Sequence, residues 1–189
     1  MITINLYENP YSSWAYNVID EFKPLNQAQI KEEVQKRTFP FAVCIQNLQH
    51  DFNISSVIRN ANAFGVRQLF YFGQKRFDRR GAKGCYHYMD IQYISQLEEL
   101  KKLQSKYNFV AAENIEGAKP LDDFEWPENP MILIGEESLG LTKDLLDLAD
   151  YKVIIKQFGS VRSLNAATAS GIMMYDFVSK FSKKKAVTL

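Results

Sequence analysis

The chain has no Gly-x-Gly-x-x-Gly after any strand-like stretch and no phosphate-cradling Walker loop, so neither a Rossmann site nor a P-loop nucleotide site is supported. Its two histidines, His50 and His87, stand apart, and no Ser-His-Asp set or metal-ligand cluster can be assembled, so no metal is expected. The two cysteines, Cys44 and Cys85, lack metal-ligand spacing, and Cys44, inside an apolar run, reads as a small core residue. No stretch approaches the roughly 20 apolar residues of a membrane span. Met1 to Asn9 lacks the positive flank and apolar core of a signal peptide, so a cytoplasmic location without membrane attachment is the expectation. Charge of one sign is also lacking. The net value is +1, which supplies no global attraction to a polyanion.

What is present fits one domain of 189 residues, large enough to bury a core without staples. Residues 1–39 read as a short helical arm. Apolar residues at helical spacing run from Tyr11 to Phe22, Pro24 stops them, and an Asn26 cap predicts a second helix to Arg37. From residue 40 strands and helices alternate to the end of the chain. Phe41–Ile45, Leu69–Phe72, Phe109–Ala112, Met131–Ile134 and Val153–Ile155 read as strands, with a weaker one near Tyr88 to Tyr93. Helices are expected over Ile54–Phe64 (capped by Asp51 or Asn53 and ended by Gly65), from a Ser95 cap to Tyr107, from a Thr142 cap to Ala149, and from about Ser163 to Phe181. This alternation predicts an α/β fold with a mostly parallel sheet and helices on both faces. Ligands on such sheets bind beyond the carboxyl ends of the strands. Those ends carry Asn47 to Asn53, Glu113-Asn114, Gly135 to Glu137 and Gln157 to Asn165.

Three segments hold the chemistry. In Asn53 to Gly65, Arg59 sits between apolar neighbours, where arginine usually pairs with a carboxylate or binds an anion. In Leu133 to Leu141 a strand runs into Gly135-x-Glu137-x-x-Gly140, and Gly135 permits close approach of a ligand beside a carboxylate. In Ile154 to Gly171 a strand passes through a loop bearing Arg162, Ser163 and Asn165 into a helix of very small residues. Ala166, Ala167, Ala169, Ser170 and Gly171 would let another backbone or a flat ligand come close. Separately, Lys75, Arg76, Arg79, Arg80 and Lys83 fall within nine residues, a basic loop in a nearly neutral chain.

Taken in order, Asn53-x-Ser-x-x-x-Arg59-x-Ala-x-x-Phe-Gly65, Gly135-x-Glu137-x-x-Gly-Leu141 and Gly159-x-x-x-Ser163-Leu164-Asn165 resemble the three signature motifs of the SpoU/TrmH-type RNA ribose methyltransferases of the SPOUT superfamily, over roughly residues 40–180. The resemblance implies a methyltransferase domain over 40–189 with a C-terminal deep trefoil knot, a homodimer, and S-adenosylmethionine as cofactor. The reaction implied is methyl transfer to an RNA ribose 2′-hydroxyl. The run Gln157 to Asn165 is further similar to the branch that methylates a guanosine ribose in the tRNA D-loop, so tRNA is favoured over rRNA. By the same resemblance, Gly135, Ile155, Leu164, Ser163 and Asn114 would bind the cofactor. Arg59, Asn53, Glu137, Ser163 and Asn165 would form the catalytic set. Lys75, Arg76, Arg79, Arg80 and Arg162 are the expected RNA contacts. Two departures stand out: Lys156 follows Ile155 where the family usually has proline, and Ala166 replaces a valine. The alternatives are an rRNA methyltransferase, a methyltransferase acting on something other than RNA, and a non-catalytic RNA-binding protein that kept the fold.

Overall fold

The computed structural model describes residues 18–47, 53–137 and 139–187. Seven strands, β1 (Phe39–Asn47), β2 (Val66–Gly73), β3 (Ile91–Ile94), β4 (Asn108–Ala112), β5 (Lys119–Pro120), β6 (Pro130–Ile134) and β7 (Tyr151–Ile154), form one sheet in the order β3-β2-β1-β6-β4-β7-β5. Every pairing is parallel. Five helices accompany it: α1 (Gln27–Lys36), α2 (Asn53–Ala63), α3 (Leu97–Lys102), α4 (Lys143–Leu148) and α5 (Ala166–Val187).

The continuous apolar run of β1 has its cause in this order, since β1 lies between β2 and β6 and is covered on both faces. Successive strand side chains point to opposite faces. Phe41, Val43 and Ile45 accordingly join Ile132 and Ile134 in one core with α2 and α5, while Ala42 and Cys44 join Met131 and Leu133 in a second core with Leu100 and Leu145. Burying each such large aliphatic side chain contributes about 2 kcal/mol.

Most expected elements are present, with altered edges. Asn26 caps α1 through a reciprocal box with Gln29, at 3.0 and 2.9 Å. Gly65 ends α2 in the left-handed region, at φ 62°. Thr142 does precede α4, but its hydroxyl does not cap the helix; it accepts from Gln46 Nε2 at 3.0 Å. The expected Ser95 helix begins at Leu97, after Gln96 in a capping box with Glu99, and gives way at Leu103 to a 3₁₀ turn; the Ser95 hydroxyl donates to Glu99 at 2.8 Å. The last helix starts at Ala166 rather than Ser163. The expected helix from Tyr11 falls mostly outside the described residues; its end, Asp20–Phe22, is a 3₁₀ turn. Phe22 and Ile30 are buried in the α2/α5 core, so the arm shares the core of the main body. No helix among the described residues is long and apolar enough to cross a membrane.

Candidate active site

The carboxyl ends of β1, β4, β6 and β7 and the entrances of α2 and α5 meet through side-chain bonds. The Asn53 amide, at the start of α2, donates to Glu137 Oε2 in the loop after β6. Asn165 Nδ2 donates to Asn53 Oδ1 at 2.8 Å and to Glu137 Oε2 at 3.2 Å. Its Oδ1 accepts from the backbone N–H groups of Ala167 and Thr168 at 3.0 and 3.2 Å. Asn165 therefore caps α5 and ties the three motifs together in one residue. This two-sided role uses all the hydrogen-bonding capacity of a short amide, which a serine cap could not supply.

The loop after β6 doubles back on itself. Gly140 N–H donates to the Glu136 carbonyl at 2.8 Å, and Glu136 N–H donates to the Gly140 carbonyl at 3.2 Å. A Cβ on Gly135 would fall 2.3 Å from Gly140 C and 2.4 Å from Leu141 N. On the side where a Cβ would stand, what approaches Gly135 is the loop's own return. Glu113, at the end of β4, accepts from Leu141 N–H at 2.8 Å and fills the space beside Gly140, whose φ is 68°. Thr142 N–H donates to Gln46 Oε1 at 2.9 Å, which fastens the loop to β1 as well.

The loop between β7 and α5 is held at its middle by Asn114 Nδ2, which donates to the Arg162 carbonyl at 2.9 Å. At its start Lys156 bonds Asp122 at 2.7 Å, and the paired charge holds that carboxyl below its usual pKa. Between these ties Phe158 is 94% exposed and Gly159 has open space where a Cβ would stand. Gln157 Oε1 is buried there without a hydrogen-bond partner, an acceptor that a bound ligand with N–H or O–H groups would satisfy. Ile155 and Leu164 are half-buried, and Ser163 is exposed.

Of the expected catalytic set, Asn53, Glu137 and Asn165 are brought into contact. Arg59 is not. It stands exposed on α2, and among the described residues no hydrogen bond or ion pair joins it to the other members. Six residues after Asn53, it lies about 120° away around the helix. The carboxylate partner that its apolar flanks suggested is absent among the described residues. Arg59 instead lies near Cys85, whose thiol burial pushes up to about 11 against the pull of that cation. The small residues of α5 meet α2: Asn60 Nδ2 donates to the Ala167 carbonyl at 2.8 Å and to Ser170 Oγ at 3.3 Å, with Gly171 against the same amide. Backbone packing, not a flat ligand, uses that face. Gln46, Glu113 and Thr142 support the site; the sequence placed Glu113 at a strand end and Thr142 at a helix start, but their bonds to this loop, and Gln46 altogether, went unseen because the partners lie 28 to 96 positions away. His50 and Asp51 lie outside the described residues. Among the described residues no group of three His, Cys, Asp or Glu side chains is placed to hold a metal.

The sequence model of the SpoU rRNA Methylase family matches residues 40–175. A tRNA (guanosine(18)-2'-O)-methyltransferase of Aquifex aeolicus is 23% identical over 154 residues, covering 78% of this chain and 73% of that protein. The tRNA (guanosine(18)-2'-O)-methyltransferase of Escherichia coli K12 is 26% identical over 158 residues, covering 81% of this chain and 69% of that protein. Among solved structures, an A. aeolicus TrmH/SpoU tRNA modifying enzyme shares the fold with a TM-score of 0.74 at 21% identity, over 84% of each chain. The SpoU methyltransferase AviRb of Streptomyces viridochromogenes, solved in complex with AdoMet, is similar at a TM-score of 0.66 and 26% identity, over 74% of this chain and 57% of its own.

Proposed function

The chain belongs to the SpoU rRNA methylase family, and we propose that it is an S-adenosylmethionine-dependent RNA 2′-O-methyltransferase. The observation that carries the reading is the meeting of Asn53, Glu137 and Asn165, one from each of three separate stretches, at the carboxyl edge of the sheet. A pure binding module has no need of that arrangement. S-adenosylmethionine would supply a methyl group on a positively charged sulfonium. The residues present fit such a group: Ile155, Ser163 and Leu164 belong to the loop in which Gln157 Oε1 lacks a donor, Asn114 holds that loop at Arg162, and Gly135 is the proposed contact from the loop after β6.

Methyl transfer requires the ribose oxygen in line with the sulfur–methyl bond, so placement supplies much of the catalysis. Asn53 and Asn165 fix Glu137 as one wall of that approach. Arg59 is permanently charged and is therefore suited to stabilise the developing 2′-alkoxide or hold the adjacent phosphate, rather than to remove the proton. Since it faces away from its own chain's cluster, it would serve the site of a second copy in a homodimer. The reading also includes a deep trefoil knot within the 40–189 domain, as the resemblance of the three motifs implies. The guanosine ribose of the tRNA D-loop is the favoured target because both named relatives act at guanosine 18. Arg162 and the basic loop that begins at Lys75 are the proposed RNA contacts.

The test is transfer of labelled methyl from S-adenosylmethionine to separated tRNA and rRNA pools, followed by nuclease mapping. Label recovered as a 2′-O-methyl nucleotide in tRNA supports the full reading. Label in rRNA alone moves the substrate. No label in either pool, with cofactor binding intact by calorimetry, refutes the RNA methyltransferase assignment. Arg59→Ala is expected to abolish transfer and leave cofactor affinity within a few fold.

A further inference from the structure

The basic loop between β2 and β3 does not act as a uniform charged surface. Within the basic stretch from Lys75 to Lys83, Asp78 is the one acid, and Arg80 consumes it: Arg80 Nε lies 2.9 Å from Asp78 Oδ2, an Nη lies 2.6 Å from the same oxygen, and Arg80 N–H donates to Oδ1 at 2.9 Å. Lys75, Arg76, Arg79 and Lys83 make no ion pair among the described residues and all are exposed. Arg79 lies over two rings instead, its guanidinium 5.9 Å from the Phe77 ring centroid and 5.5 Å from that of Tyr86. Lys75 similarly stands 5.7 Å over Tyr93. A cation seated on a ring keeps its charge and its outward N–H donors while losing conformational freedom.

The loop that carries these cations is fastened to the site. Asn47 Nδ2 donates to the carbonyls of Gln74 and Arg76, the latter at 3.1 Å, and Gly73, at φ 106°, is pressed against the Asn47 carbonyl. Ser55 Oγ donates to the Asp78 carbonyl. A Cβ on Gly81 would lie 2.8 Å from Ser55 Cβ, and Ala82 is fully buried. Ser55 is two residues from Asn53, so the loop rests on the helical turn that presents Asn53 to Glu137.

We infer that Arg76, Arg79 and Lys83 form a preset grip for the phosphates of the RNA strand beside the target ribose, while the Asp78–Arg80 pair is the lock that holds the grip's shape. This rests on the RNA methyltransferase reading and divides a basic stretch into contacts and scaffold. Arg79 is set by its rings, and the backbone carrying Arg76 and Lys83 is set by Asn47 and by buried Ala82, so less entropy is lost on engaging phosphate than a floppy charged loop would lose. Each phosphate neutralised contributes about 0.7 to 0.9 to the slope of log affinity against log salt, so three contacts amount to about 2.

The experiment compares the full chain, an Arg76→Ala/Arg79→Ala/Lys83→Ala variant and an Asp78→Ala/Arg80→Ala variant, which is charge-neutral. The probe is an unmodified, fluorescently labelled tRNA transcript in 50 to 300 mM KCl. The triple variant is expected to bind at least about tenfold more weakly at the lowest salt and to lose about 2 from the slope, with unchanged S-adenosylmethionine affinity. The charge-neutral pair is expected to keep the slope within about half a unit while its thermal midpoint falls. A triple variant with wild-type affinity and slope overturns the grip, and so does a charge-neutral pair that loses as much slope as the triple. If the wild type still methylates the transcript in either case, the enzyme assignment stands and only the grip is lost. A wild type that binds cofactor but no RNA at 50 mM KCl refutes both.

Discussion

Gly135→Ala puts the smallest possible side chain where the loop after β6 returns. The new Cβ would lie 2.3 Å from Gly140 C, 2.4 Å from Leu141 N and 2.8 Å from Gly140 Cα, all backbone atoms. Relief to ordinary contact needs a shift of about 1 Å, which these atoms cannot make independently. Gly140 is bonded in both directions to Glu136, and Leu141 N–H is held by Glu113. One or two of those hydrogen bonds must break at about 1 kcal/mol each, and residual crowding adds about 1 to 3 kcal/mol. The expected loss is about 2 to 4 kcal/mol, equivalent to a thermal midpoint lowered by roughly 5 to 15 °C in a domain of this size. Because Glu137 lies between the two strands of the return, a displacement of that order also lowers methyl transfer by about a hundredfold. Differential scanning calorimetry and single-turnover transfer measure the two effects. The control is Gly159→Ala, whose Cβ meets nothing within 4 Å and should leave the midpoint unmoved. If Gly135→Ala melts with the wild type and transfers at its rate, the tight return does not govern the site.

Asn165→Ala removes the α5 cap and two bonds to the site at once; it should cost about 1 to 2 kcal/mol in thermal unfolding, and reduce transfer more than cofactor affinity. An Asn165→Asp variant should restore the cap but not transfer, since it cannot donate to Glu137 or Asn53. Burial pushes the Cys44 thiol to about 12 and the Cys85 thiol to about 11, so at pH 8 only about one thiol in a thousand or fewer is ionised. Iodoacetamide should label neither cysteine in the folded protein and both in guanidinium; rapid native labelling of Cys85 would show that the Cys85–Tyr88 turn opens.

The strands were legible where their surroundings dictate composition. Phe41–Ile45 and Met131–Ile134 are apolar throughout because both faces of the sheet are covered, and that pattern needs no partner to recognise. Asn26 and Gly65 were legible because a cap and a left-handed terminus are local devices. The two-residue β5 was not: Lys119 and Pro120 join the sheet only through β7, and nothing in two residues announces a strand. At the site, motif order brought out Asn53, Glu137 and Asn165, but the crowding of Gly135 by its own loop was not legible, because the atoms that meet it return from five residues on. The apolar surroundings of Arg59 in the chain point to pairing with a carboxylate or an anion, yet the helix turns Val57, Ile58 and Ala61 inward and Arg59 outward. Arg80 looked like its neighbours until Asp78 was seen to hold it.

The strand order also sets a timetable for synthesis. β1 obtains its first partner, β2, from the next 26 residues, but its second, β6, begins 83 residues beyond it. At about 5 to 20 residues per second, one edge of the central strand leaves the ribosome roughly 4 to 17 seconds before the chain that will cover it. Through that interval an apolar strand edge is open to any other nascent chain or to a chaperone. The arrangement that gathers the site from distant segments thus makes its assembly one of the last events of folding, and the half-made protein the form most exposed to aggregation.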